Sequence, residues 1–219
     1  MPILLRRIIW LFSCNAHRLS ITPSLFELLA SVLSDEGQND VCVRLTTVQT
    51  LDSLLPQCES NISVLNSIVE PAATALFQLT KECNEVESRT CCINLLSNLI
   101  TYIGVSGALL SNEVLDAIVI PIPSIWENAV GQNLIVRRNI VNILSCIASL
   151  LSSTQLSVLR PVALRMIDDC FSKEENMFLI NEALKSWWLF LRLSPTYSDL
   201  LSTLFFRAIV ISKDFDHIM

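Results

Sequence analysis

A chain of 219 residues that is 52% hydrophobic and only 16% charged is far too apolar to stay disordered, and it is long enough for one large domain or a run of repeats. Its formal net charge is −6, and its Lys and Arg residues stand singly or in pairs. It therefore lacks the clustered positive field that non-specific nucleic-acid binding needs. Gly is scarce at 4 and Pro modest at 8, a composition that offers few β-turn signals and suits helices packed on helices.

Taken in order, residues 3–13 read as a short helix carrying Arg6, Arg7 and Trp10, and the two arginines interrupt the apolar core that a signal peptide requires. Pro23 suits the first turn of a second helix over 24–33, with Leu25, Leu28, Leu29 and Val32 at helical spacing. A polar turn over 34–39 leads to Asp40, which can accept hydrogen bonds from the first free backbone N–H groups of the next helix. That helix carries Val41, Leu45, Val48, Leu51 and Leu55 as one apolar stripe, with Arg44 at its edge. The unit then repeats. Residues 62–82 form a helix bent at Pro71, and a second member begins at Val86 with Cys92, Leu96, Leu99 and Ile103 buried and Arg89 flanking them. Residues 112–129, distorted by Pro121 and Pro123, pair with 134–151, where Ile140, Ile143, Leu144, Ile147 and Leu151 face inward. A fourth pair covers 156–171 and 177–193, and 197–211 begins a helix without a partner.

Arg44, Arg89 and Arg137 recur at steps of 45 and 48 residues, and a third similar step lands near Glu182, which keeps the helix and loses the Arg. A period of about 40–47 residues with two or three helices per unit marks HEAT and armadillo arrays. The fold class expected is all-α: an α-solenoid, a right-handed superhelix of HEAT/armadillo-like helical pairs, preferred over an irregular bundle that needs no period. The units are a half-repeat at 1–15, pairs at 21–55, 62–104, 111–151 and 155–193, and a half-repeat at 197–212. In stacked repeats an Arg at the stripe's edge pairs with an acidic turn residue of a neighbouring unit, so Arg44, Arg89 and Arg137 are expected to be structural ladder residues.

Reactive chemistry is hard to find. The eight cysteines contain no C-x-x-C pair, and with only His17 and His217 beside them no metal site is expected. Most lie in helical patterns, where reduced Cys acts as a small buried hydrophobe. Asn61-Ile62-Ser63 matches a glycosylation sequon by coincidence. Gly37, Gly104, Gly107 and Gly131 never approach phosphate-loop spacing, and the G-x-x-G outline at 104–107 lacks basic residues. The two histidines lie near the ends with no surrounding triad motif, and the adjacent carboxylates Asp168 and Asp169 diverge by about 100° on a helix. No enzyme, catalytic residue or cofactor is expected. Two uncharged runs, 90–112 and 139–159, reach membrane-spanning length, but their many Asn, Ser and Thr residues favour buried helices.

The run Arg6-Arg7-Ile8-Ile9-Trp10-Leu11, the run from Val43 through Arg44 to Leu51, and Trp187 leading to Ser194-Pro195 occur in matching order in the importin-beta (karyopherin-beta) family, which this sequence resembles over nearly its whole length. The resemblance implies a nuclear transport receptor that shuttles between cytoplasm and nucleus through the nuclear pore. Its partners would be cargo proteins and Phe-Gly repeats of pore proteins. Ran GTPase would bind only through an amino-terminal region with no counterpart here. Members of that family are several times longer, and neither end of this chain reads as a polar cap, so the chain is expected to be a segment of a receptor. Second helices in the family line the concave, cargo-facing side. This implies contacts from Arg138 and Asn142, with Ser145 and Ser149 on the same polar face, and from Lys185 and Arg192, with Glu182 and Ser186 beside them. With Ile180, Leu184 and Leu191 as the buried stripe of the helix over 177–193, Trp187 falls at its centre and Trp188 on its shoulder, as an inter-repeat packing residue or a binding anchor. The rival readings are a HEAT scaffold unrelated to transport, such as a phosphatase regulatory subunit, and a membrane-associated helical protein.

Overall fold

The structure, a computed structural model, describes residues 2–18, 22–34, 39–57, 62–105, 109–131, 134–193 and 209. Ser194-Pro195, the expected half-repeat at 197–212 apart from residue 209, Cys58, Asn61, Gly37, Gly107 and His217 lie outside the described residues. Those described form helices and short connections, with no strand among them. The helices are α1 (Pro2–Cys14), α2 (Pro23–Ser34), α3 (Val41–Leu54), α4 (Ile62–Glu82), α5 (Val86–Val105), α6 (Asn112–Val119), α7 (Ile122–Asn128), α8 (Leu134–Ala148), α9 (Ser153–Ser172) and α10 (Ile180–Leu193). A 3-10 segment, Glu174–Leu179, leads from α9 into α10. Two compact units divide the chain, Met1–Asn139 and Ile140–Met219.

Local chemistry sets several of the boundaries. Asp40 accepts from the Val43 N–H at 2.8 Å and so starts α3. Ser111 starts α6 in the same way, and Ser152 with Gln155 forms a reciprocal capping box at the head of α9. The first member of the third pair is two helices instead of one. Pro121 has no N–H to continue α6, and its fixed φ suits the start of α7. Helix α4 continues through Pro71 and α9 through Pro161.

In the first unit α3 packs against α1, α2 and α5, while α4 packs against α2, α5 and α6. Helices α1, α3 and α5 therefore neighbour one another in one layer, with α2, α4 and α6 in another. Side-chain bonds between neighbours in the first layer join residues far apart in sequence. Arg6 Nε donates to Thr46 Oγ1 at 3.2 Å, Thr50 Oγ1 to the Ile9 carbonyl at 3.1 Å, and Asn98 Nδ2 to Asp52 Oδ1 at 2.7 Å. In the second unit α10 packs on α9, and the Ser145 and Ser186 hydroxyls join α8 to α10.

Having neighbours on several sides changes which residues are buried. Helix α3 does not bury a single stripe: Val43, Arg44, Thr46, Thr47, Val48, Thr50, Leu51 and Leu54 are all buried, while Val41 and Leu45 are only half-buried. Its threonines can be buried because Thr46, Thr47 and Thr50 each donate to the carbonyl four residues back. On α2 the inward face is Phe26, Leu29, Ala30 and Leu33, leaving Leu28 exposed where periodicity placed it inside. On α10 the buried set is Ala183, Ser186, Trp187 and Phe190, one step round from the stripe of Ile180, Leu184 and Leu191. Ser186 is thus an interior residue, and Ser145 is half-buried against it.

Candidate partner-binding surfaces

The three periodic arginines share one local construction. Each stands in the first turn of the second helix of its pair and donates Nε to a carbonyl at the end of the first helix. Arg44 bonds Leu33 O at 3.0 Å, Arg89 bonds Cys83 O at 2.7 Å, and Arg137 bonds Trp126 O at 3.1 Å. The last carbonyls of a helix have no partner within it and carry its negative partial charge, so a guanidinium there satisfies an acceptor and a dipole together. All three backbone acceptors lie within the arginine's own pair, and for Arg44 the acidic partner expected from a neighbouring unit is present as well. Arg44 also crosses to the next pair, where its Nη1 meets Glu82 Oε2 at 2.7 Å, and it is 1% exposed instead of lying at the edge of a stripe. Arg137 is 3% exposed and stacks over the Trp126 ring at 5.2 Å.

The fourth pair has no such arginine, and Glu182 does not replace it. Asn176, fully buried in the 3-10 segment, donates Nδ2 to Asp169 O at 3.2 Å in the last turn of α9. Nothing in a polar stretch of sequence distinguishes this Asn from a solvated turn residue.

Of the residues singled out for partner contact, Arg138 is exposed in the first unit, and Asn142, Lys185, Trp188 and Arg192 are exposed in the second. Lys185, Trp188 and Arg192 follow one another at steps of three and four, so one face of α10 presents two cations around an indole that is 59% exposed. Trp187 is buried, as its place in the core requires.

A groove missed at the level of sequence lies between α4 and α6, with a volume of about 580 Å³. Phe77 and Ala117 line it, Ile120 and Pro121 stand at the end of α6, and Glu70, Glu113 and Asp116 outnumber Lys81 among its charged residues. Ile120 is 74% exposed, because the break at Pro121 turns it away from the core. The Glu113 carboxyl is held below its ordinary range by its own backbone N–H and by the Ser111 hydroxyl.

Among the described residues, no group of three or more His, Cys, Asp or Glu side chains is placed to hold a metal. None of the described helices is long and apolar enough to cross a membrane. The run 90–112 ends its helix at Val105, and 139–159 is divided between α8 and α9. Cys14 and Cys42 are exposed, unlike the buried Cys83, Cys92 and Cys170. Cys83 and Cys92 interact directly. A hydrogen bond from Cys92 holds the Cys83 thiol below its ordinary range against the opposing effect of burial, and the same contact pushes Cys92 up.

The described residues thus form an all-α protein, its helices packed in two layers in the first unit. The chain is 23% identical to Importin-11 of Mus musculus over 205 residues, covering 91% of this chain and 20% of that protein. It is 22% identical to Importin-11 of Homo sapiens over the same length and shares. It therefore spans about a fifth of the length of these relatives. No protein-family model and no solved structure matches it.

Proposed function

We propose that this chain is a non-catalytic segment of an importin-beta-like nuclear transport receptor, an α-solenoid of HEAT/armadillo-like pairs in the units given above. The observation that supports this most is the layering in the first unit, with second helices beside second helices and first beside first, in a chain that aligns with Importin-11 over 205 residues. Helix α1 adds support. It buries only Ile9 and leaves Ile3, Leu4, Ile8, Trp10 and Leu11 at least 42% exposed, an apolar face suited to a further helix pair.

In this reading the exposed faces of α8 and α10, with Arg138, Asn142, Lys185, Trp188 and Arg192, meet cargo. The groove between α4 and α6 takes the Phe of pore Phe-Gly repeats, with Ile120 as its apolar wall. Ran binding belongs to a region outside this chain, and the receptor shuttles between cytoplasm and nucleus. The test is fluorescence anisotropy with a labelled Phe-Gly peptide. The protein should bind it, Ile120→Asp should abolish binding without shifting the unfolding midpoint, and a Ser-Gly peptide should not bind. No binding to the Phe-Gly peptide would favour a HEAT scaffold outside transport.

A further inference from the structure

The Arg44 and Arg89 junctions are built alike but completed differently. Arg44 caps α2, and the residue that ends the first helix of the next pair, Glu82, gives it a carboxylate at 2.7 Å. Arg89 caps the end of α4, and the residue that ends the corresponding helix of the next pair, α7, is Asn128. That amide donates to Ser124 O in its own helix, and Arg89 makes no ion pair among the described residues. Where the carboxylate would stand there is a cleft of about 350 Å³ lined by Thr80, Lys81, Arg89, Ser124, Asn128 and the apolar wall of Ile125 and Val136. Both charged lining residues are cations, in a chain whose net charge is −6.

We infer that this cleft is a binding site for an acidic side chain, Asp or Glu, presented by an extended segment of a partner protein. Charge complementarity selects the carboxylate, and the Arg44–Glu82 contact shows within the same molecule the geometry it would adopt. Arg89 Nε is committed to Cys83 O, so its Nη groups are the donors that face the ligand, with Lys81 supplying a second positive charge. The apolar wall of Ile125 and Val136 shields one side of the pairing, while the other side stays open to water. This inference does not depend on the transport reading, since it rests on the junction alone.

The test uses the full chain and a fluorescein-labelled peptide of alternating Gly and Glu, read by anisotropy. Its Gln counterpart and inorganic phosphate serve as comparisons. Wild type should bind the Glu peptide and not the Gln peptide. Arg89→Gln and Asn128→Glu should each weaken binding at least about tenfold, the first by removing the donor and the second by filling the cleft from within. Arg7→Gln, at an exposed cation on α1, should leave binding unchanged. Asn128→Glu keeps the Arg89 cap and so separates loss of site from loss of fold. Failure of the Glu peptide to bind, binding unaffected by Asn128→Glu, or equal weakening by Arg7→Gln would each overturn the inference. So would displacement by phosphate as effective as by unlabelled peptide, which would reduce the cleft to a simple anion site.

Discussion

Arg44 and Arg89 occupy the same place in successive helix pairs, yet one is sealed in the interior and the other is half-buried beside a cleft. Both cap the helix before them, so capping is the shared structural role. What differs is the residue that ends the next first helix, a glutamate in one case and an asparagine in the other. A guanidinium can be buried when its charge is balanced by a partner, and it stays near solvent when that condition fails. A repeated scaffold can thus turn a structural junction into a binding site by changing one side chain in the neighbouring unit.

The largest effect should come at the sealed junction. Arg44→Ala removes the cap on Leu33 O, the pairing of Glu82 and the packing of one of the largest buried side chains among the described residues, and should cost about 3 kcal/mol in chemical denaturation. Glu82 keeps 29% exposure and can return to water, which holds the cost below that of stranding a buried charge. A loss under about 1 kcal/mol would show that the sealed junction is not what distinguishes it from Arg89. Asn176→Ala extends the comparison to the fourth pair, where an amide replaces the guanidinium. It removes the buried Asn176 amide, leaving the half-buried Asp169 carbonyl with the Lys173 N–H as a donor, and a loss of about 1 kcal/mol is expected by the same measurement.

Much of this was legible in the sequence, and the exceptions have physical causes. The order of helices, the Asp40 cap, the break near Pro121 and the buried residues Ile140, Ile143, Leu144 and Ile147 follow from spacing and capping chemistry that act within one helix. Burial on α3 did not follow, because a helix with neighbours on several sides has no single inner face and buries threonines that bond to their own turns. The stripe on α10 was misplaced by one position, since Trp187 and Phe190 fit inward together while Ser186 fills the close approach to Ser145. The groove at Ile120 and the cleft at Arg89 each depend on which residues of two pairs meet across a junction. Periodicity along one helix carries no such information.

Converting the open junction into a sealed one should produce a smaller effect of opposite sign. Asn128→Glu places a carboxylate within reach of the Arg89 guanidinium and should raise stability by about 0.5–1 kcal/mol, read as an increase in the denaturation midpoint at unchanged slope. The gain is modest because the pair stays partly in water. A decrease would mean that the cleft cannot close on an internal acid as the Arg44 junction does.

The smallest effect concerns the buried thiols beside the Arg89 cap. Cys83 contributes the carbonyl that Arg89 caps, and its thiol is lowered first by the hydrogen bond from Cys92, then opposed by burial and by Glu82, with lesser help from Arg89 and Arg44. Only one proton can leave the pair easily, because the S–H that remains on Cys92 is what stabilises the Cys83 thiolate. Residue-resolved alkylation across pH should therefore find Cys83 reacting at lower pH than Cys92. Replacing Cys92 by Ala removes the leading favourable contact, so burial becomes the dominant influence and the onset of Cys83 reaction should move to higher pH. Arg89→Gln should move it in the same direction by less, since the guanidinium ranks behind both burial and Glu82. An onset that stays in place in the Cys92 variant would show that the cations of the junction, and not the neighbouring thiol, set the acidity of Cys83.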